Sequence, residues 1–572
     1  MKKYSHIIIF LSLSILTLPF YQKGYFLLLD NTFFPKIDFT LNMFFESNFF
    51  LFAAIFKALS YIIPSWLIQR LFYIGTLFLL GFGGYKLLEN RTKIGAYFAG
   101  ILMIFNPYVY AHMLDGQIGI TAGISTILFF YLFLIRYLDS RRYKDILLSS
   151  LFGAFSMMWM SHSMFFIFSG LGIFLIFDYI RNKDIRFSLK SSFIPFVIIL
   201  ALNSNWILGN ILGNGGLNQT VGQIGSEHFQ AFATGSGKIN LYFNTLSLHG
   251  FWGERQGRYI QTYFDNDNWK ILFSVLFLIV IFGAYSRLRN KANIDKRIDH
   301  AFLAIGTVAY ILALGISGDN IFAPITQFLY DHMPFYKGLR EPQKWVGILL
   351  IVYAYFGGYG VDRIYRSSFV QKGYPKIIAA GLLSVPILYT PTMLLGFNGQ
   401  LFVTDYPKEW YSLNEDFKIR FQDNGKQEKC GYLDKGTSLK CYDVLVLPWH
   451  QYIGLKFAKR TIANPSEGFF HNASILQGDN MEMGNIYTQT LRPESRIIEK
   501  YIGPKGIFKD SVEDSEMESF IQDLRGLGIS EILILKESDY KKYMDIMDII
   551  EKKGKIRAIK DNDRLKLFRV NK

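Results

Sequence analysis

Residues 118–144 read IGITAGISTILFFYLFLIRYLDSRRYK, an apolar run to Ile135 followed by Arg136, Arg141, Arg142 and Lys144. The run approaches the roughly 20 residues needed to cross a bilayer. A water-soluble helix keeps one polar face, and this one has none. The same pattern recurs at Phe165–Ile180, Ile271–Tyr285 and Ile377–Leu395. Residues 1–395 therefore read as an α-helical polytopic membrane domain. The chain's mean hydropathy is only +0.20, because the polar last third dilutes it.

Charge sets the expected orientation. Basic clusters at Lys2/Lys3, Arg91/Lys93, Arg136–Lys144, Arg181–Lys190, Arg287–Arg297 and Arg363–Lys376 alternate with short loops that carry no Lys or Arg, such as Leu114–Gln117 and Ser161–Ser163. Placing the clusters in the cytoplasm satisfies the positive-inside rule with about eleven transmembrane helices, provided Phe44–Ile63 lies on the outer interface. The N-terminus is then cytoplasmic, in the plasma membrane, and the tail, 396–572, is extracytoplasmic. Much of the net charge of +15 is explained by topology, so nucleic acid is not an expected partner. The N-terminal Lys2-Lys3 and apolar stretch resemble a signal peptide without a small-x-small cleavage site, which favours an uncleaved anchor. The two cysteines, Cys430 and Cys441, fall in the exported tail, where both a disulfide and free thiols are open.

The tail reads as an α/β domain. Asp443–Leu447, Ile529–Leu535 and Arg564–Val570 have strand character, while Ser515–Leu524 and Ser538–Lys553 have helical spacing. No P-loop, dinucleotide fingerprint or zinc spacing occurs, so no cofactor is indicated.

Long outward loops at 23–66, 210–268 and 317–344 carry the candidate chemistry, since loops of that length commonly form binding surfaces. Asp30 is the first acid after the first apolar run and has the chemistry of a general base; a solvated loop acid is the plain alternative. His112, Asp115 and Gln117 follow Asn106-Pro107; helix termini, with Asn106-Pro107 breaking one helix and Asp115-Gly116 capping the next, explain them equally. Glu227, His228, His249, Trp252 and Glu254 suit a carbohydrate platform, or an aromatic interfacial belt. Arg340 and Lys344 stand where topology does not ask for cations, and a guanidinium fork with an ammonium suits a phosphate. His162 sits at a turn between spans and reads as structural.

Asp30 after the first span, Asn106-Pro107 with Gly116-Gln117, His249-Gly250-Phe251-Trp252, Arg340-Glu341-Pro342-Gln343-Lys344, and the tail's Val446-Leu447-Pro448-Trp449 and Leu527-Gly528-Ile529 together resemble the GT-C class of polytopic membrane glycosyltransferases. The resemblance is to the branch holding arabinofuranosyltransferases and multi-pass lipoteichoic-acid glycosylation proteins. It runs over most of the chain as short, degenerate motifs. It implies a polyprenyl-phosphate sugar donor, a cell-envelope glycan, lipid or protein acceptor, and membrane lipids as surroundings. It further implies Asp30 and Asp115 as catalytic acids, Arg340 and Lys344 as the donor-phosphate clamp, and Asp38, His112, Gln117, Glu227, His228, His249, Trp252 and Glu254 as substrate contacts. The chain departs from the pattern in having no Asp-x-Asp or Asp-Glu pair after the first span, so a divalent metal is not indicated. A flippase for lipid-linked glycans and a glycan-binding membrane scaffold are the competing readings; mostly clean spans with charges at their ends weigh against the flippase.

Overall fold

A computed structural model describes residues 4–571 except 42, 213–223, 236–238, 261–267, 290–295, 319, 422–430, 433–437, 481, 484–485, 488–489, 491 and 510–511. By internal packing the chain divides into two units. The first comprises Met1–Gln22, Thr40–Ile55 and Arg70–Phe402; the second comprises Lys23–Phe39, Phe56–Gln69 and Val403–Lys572. Segments 23–39 and 56–69, read in sequence as loops of the membrane domain, thus group with the tail.

The helices used below are α1 (Ser65–Leu88), α2 (Ile94–Ile104), α3 (Pro107–Leu114), α4 (Ile118–Ser140), α5 (Tyr143–Trp159), α6 (Ser163–Asn182), α7 (Ile185–Leu202), α8 (Asn268–Arg289), α9 (Lys296–Leu314), α10 (Val346–Tyr365) and α11 (Pro375–Tyr389). Among the described residues, eight helices are long and apolar enough to cross a membrane: α1, the α2–α3 stretch, α4, α6, α7, α8, α9, and α10 with its 3-10 entry at Pro342–Trp345. Helix α11 and the following Pro391–Asn398, bent by 74°, would make a ninth. The expected first anchor is a helix of 12 residues, Ser5–Leu16, and Phe50–Ser60 has 11. Both are short against the roughly 20 residues of a straight span. The chain is helical and polytopic in character, with eight or nine helices of spanning length among the described residues, where charge alternation suggested about eleven.

The span Pro342–Tyr365 runs through the first unit, and its residues 342–362 are all buried. Its glycines let neighbouring backbones approach closely. A Cβ on Gly95 of α2 would overlap the Gly358 carbonyl, and one on Gly283 of α8 would overlap that of Phe356. Small residues at such crossings replace the hydrophobic driving force that lipid removes.

In the second unit, β1 (Val444–Leu447), β2 (Tyr452–Leu455), β3 (Arg460–Ala463), β4 (Ile475–Leu476), β5 (Glu531–Leu535), β6 (Ile556–Asp561) and β7 (Leu565–Val570) alternate with α12 (Lys408–Phe421), α13 (Pro493–Ile502), α14 (Asp514–Gly526) and α15 (Lys541–Lys552). The main sheet runs β6-β7-β5-β1-β4, with β1 parallel to β4 and β5 and β7 antiparallel to β5 and β6. Alternation sorts its residues between two cores. Leu445, Leu447, Ile532, Ile534 and Phe568 pack with Ile498, Phe520 and Met547 of α13–α15. Val444, Val446, Leu533, Leu535 and Leu565 pack with Trp410 and Phe417 of α12. Burial of both faces explains why β1 and β5 read as continuous apolar runs. Cys441 is disulfide-bonded, whereas Cys430 lies outside the described residues.

Candidate functional site

Helix α3 exists because Asn106 caps it. The Asn106 side chain accepts from Val109 N at 2.9 Å, and Pro107 occupies the first turn, where its missing N–H costs nothing. The helix ends at Asp115, and Gly116 takes φ +85°. Gln117 N–H then donates back to His112 O at 2.8 Å, the 6→1 bond of a Schellman end. Asp115-Gly116 therefore closes α3 instead of opening α4. That closure brings Gln117 against His112.

A connected polar chain results. His112 Nδ1 lies 2.7 Å from Gln117 Oε1, and His112 Nε2 lies 3.1 Å from the Gln343 side-chain amide. Gln117 Nε2 donates to Glu341 Oε2 at 3.4 Å, and Glu341 pairs with Lys344 at 3.7 Å. Gln117 turns its N–H₂ to the carboxylate and its oxygen to the imidazole. Tyr108 hydroxyl donates to Lys344 O at 3.4 Å, and its ring meets the imidazole edge-on at 4.4 Å. Every one of these side chains is buried, as is Asp115 in the same loop.

Charge in so dry a place must be compensated. Burial pushes the Glu341 carboxyl up, but Lys344 and Arg340 pull harder and leave it below the usual carboxylate value. Burial, with Lys344 and Arg340 adding to it, pushes the His162 imidazole well below its ordinary value, so it stays neutral. Arg340 lies over the Phe232 ring at 4.8 Å, and its buried Nε makes no hydrogen bond among the described residues. The buried Gln343 Nε2 makes none either. Two cations, a neutral imidazole and undonated amide protons can hold an anion or a cluster of hydroxyls.

The 210–268 loop is built differently. Glu227 is exposed, and half-buried His228 accepts from Gly225 N at 3.2 Å. Burial, then Arg340, lowers the His228 imidazole. His249 is buried, with Nδ1 at 3.1 Å from Ser247 Oγ, and burial drives its imidazole down to about 3. Trp252 is buried beneath Arg258, which sits 4.8 Å over its ring. Neither ring presents an open face. Half-buried Glu254 accepts from Gly250 N at 3.2 Å, and burial raises its carboxyl to about 8.

Asp30 and Asp38 belong to the second unit. Leu28 and Asn31 exchange backbone hydrogen bonds, which puts Asp30 at the exposed tip of a tight turn. Tyr452 hydroxyl donates to Asp30 Oδ1 at 3.1 Å, and Gln69 pins the turn through Phe26 and Asn31. Asp38 is exposed, 3.9 Å from Lys36.

The structure thus gathers His112, Gln117 and Lys344 around Glu341 and Gln343, two residues that sequence reasoning passed over. The available signal was the three-residue spacing of Glu341 and Lys344, which puts opposite charges on one side of a turn. Among the described residues, no three His, Cys, Asp or Glu side chains converge as a metal site would need. No known protein-family model matches the chain, and no curated protein matches it.

Proposed function

We propose that this chain is a multi-pass membrane glycosyltransferase that moves a sugar from a polyprenyl-phosphate donor to an extracytoplasmic glycan, lipid or protein acceptor. The observation that carries the reading is the buried chain His112–Gln117–Glu341–Lys344 with Gln343, placed at the ends of apolar helices. Buried groups of that kind are costly in a membrane protein unless they serve a ligand. The N-terminus is cytoplasmic in this reading, and the cluster faces outward in the plasma membrane with the tail.

Arg340 and Lys344 hold the donor phosphate, and His112, Gln117 and Gln343 bind sugar hydroxyls. Asp30 accepts the proton of the acceptor hydroxyl. Its oxygen attacks the anomeric carbon, the bond to the phosphate breaks, and the lipid phosphate leaves with the bonding pair and inverted sugar stereochemistry. The exposed position of Asp30 supports its role, since a base must meet an acceptor arriving from water. Asp115 is the second acid.

Purified protein supplied with a panel of polyprenyl-phosphate sugars provides the test. Asp30→Asn is expected to lower turnover about 10²–10⁴-fold, the range of general-base catalysis, while donor binding persists. Equal turnover in both proteins would pass the role of base to Asp115. No turnover with any donor, despite binding, would favour the flippase or scaffold.

A further inference from the structure

Away from this cluster, helices α6 and α7 form a hairpin whose outer side carries a groove of about 690 Å³. That size falls within the roughly 300–1,000 Å³ of small-molecule sites. Phe168, Leu171, Gly172, Phe193 and Phe196 make its apolar walls, and Lys190 stands at its polar end. We propose that the groove seats one anionic two-chain phospholipid, with an acyl chain along the rings and the headgroup phosphate on Lys190.

Several observations point to that occupant. Helix α7 is the least buried of the eight candidate spans, at 22%, and Phe193 and Phe196 are 65% and 50% exposed. In a membrane such rings face acyl chains. Lys190 donates to Tyr143 hydroxyl and lies 4.9 Å over its ring. An ammonium has three donors, so two remain for a phosphate. Arg181, Lys183 and Arg186, at the nearby α6–α7 turn, are exposed. The nearby carboxylates are occupied: Asp184 caps α7 by accepting from Phe187 N, and Asp178 is held by Arg297. The field at this end therefore favours an anion, since cations near a membrane surface attract anionic lipid headgroups.

The groove's length fits within the acyl region of one leaflet. From Lys190 to Phe196 is about 9 Å at 1.5 Å per residue, which lies inside one leaflet. The site is also distinct from the proposed donor site. Helix α6 begins beside His162 and runs about 30 Å to the hairpin turn, and Lys190 lies about 9 Å back along α7, so the headgroup end of the groove sits roughly 20 Å along the axis from His162.

Gly172 makes the test possible, because a Cβ there would meet nothing within 4 Å. Delipidated protein would be titrated with dioleoyl phosphatidylglycerol or dioleoyl phosphatidylcholine and bound lipid counted by native mass spectrometry. Wild type is expected to retain one phosphatidylglycerol at least fivefold more tightly than phosphatidylcholine. Lys190→Glu should abolish the preference, and Gly172→Phe should remove tight binding of both lipids, with thermal unfolding as in wild type. An undiminished preference in Lys190→Glu, or unchanged binding in a folded Gly172→Phe, would overturn the proposal.

Discussion

The two ends of the helix bundle in the first unit bury charge in contrasting ways. At one end, carboxylates are met by arginines. Arg297 bridges Asp178 at 2.7 Å and Asp139 at 2.6 Å, Arg91 reaches Asp139 at 3.3 Å, and Arg287 holds Asp299 at 3.1 Å while Tyr355 donates to it at 2.8 Å. At the other, one ion pair, Glu341–Lys344, continues into amides and an imidazole. Guanidinium–carboxylate pairs between different helices fix those helices in place. A chain of single hydrogen bonds through neutral amides and an imidazole can exchange partners with a ligand. Under the proposed function, the first end holds the bundle and the second binds the donor.

The sharpest way to break this contrast is at Arg297. Arg297→Ala leaves Asp178 buried with its principal partner gone, and breaking such a pair costs about 3–5 kcal/mol. We expect a large fall in unfolding temperature with donor affinity unchanged in the protein that remains folded. A loss of donor binding at normal stability would erase the distinction. At the other end, the double variant Glu341→Gln/Lys344→Met removes both charges together. A lost charge-assisted hydrogen bond of about 1.5–3 kcal/mol should weaken donor binding roughly 10- to 100-fold while stability moves less. The reverse ratio, measured by donor titration and thermal unfolding, would make this end structural.

Glu254 extends the contrast to pH. Its carboxyl is raised to about 8 from the ordinary 4.5, so between those values the folded state holds a proton that the unfolded state has released. Its stabilisation is full below about 4.5 and is lost as pH rises through 8. Wild type should therefore lose stability relative to Glu254→Gln by at most about 1.4 kcal/mol for each pH unit across that window. Parallel pH profiles would place the carboxyl in water. The smallest effect is expected from Tyr108→Phe, about 0.5–1.5 kcal/mol for one neutral hydrogen bond to Lys344 O. A tenfold or greater loss of donor affinity there would mean that the phenol contacts the ligand itself.

Much of the architecture was legible in sequence. Apolar runs located the helices of the first unit, short apolar runs located β1 and β5, and period-two alternation located β7. The basic loops 136–144, 181–190 and 287–297 do meet through Arg141, Asp178 and Arg297. The cation-free loop 112–117 meets the 341–344 turn instead. Span number was less legible, since length decides crossing and hydropathy does not show where a helix stops. Ser5–Leu16 ends after 12 residues, α11 breaks at Pro391, and α5, with 17 residues and Lys144-Asp145 in its first turn, is not among the eight.

The candidate site was half legible. Asn106-Pro107 marked a helix break, because capping is local chemistry, whereas Asp115-Gly116, read as capping the next helix, closes α3 instead. The importance of Glu341 and Gln343 was hidden, because a carboxylate beside cations looks like a solvated charge until its surroundings are dry. Sequence by itself determined the apolar spans, the segregation of basic loops and the α/β pattern of the tail, all consequences of periodicity along one chain. Only tertiary structure decided that residues 117 and 341 share a hydrogen bond and that Trp252 lies beneath Arg258. Pairing between distant segments follows from packing in three dimensions, which no local pattern encodes.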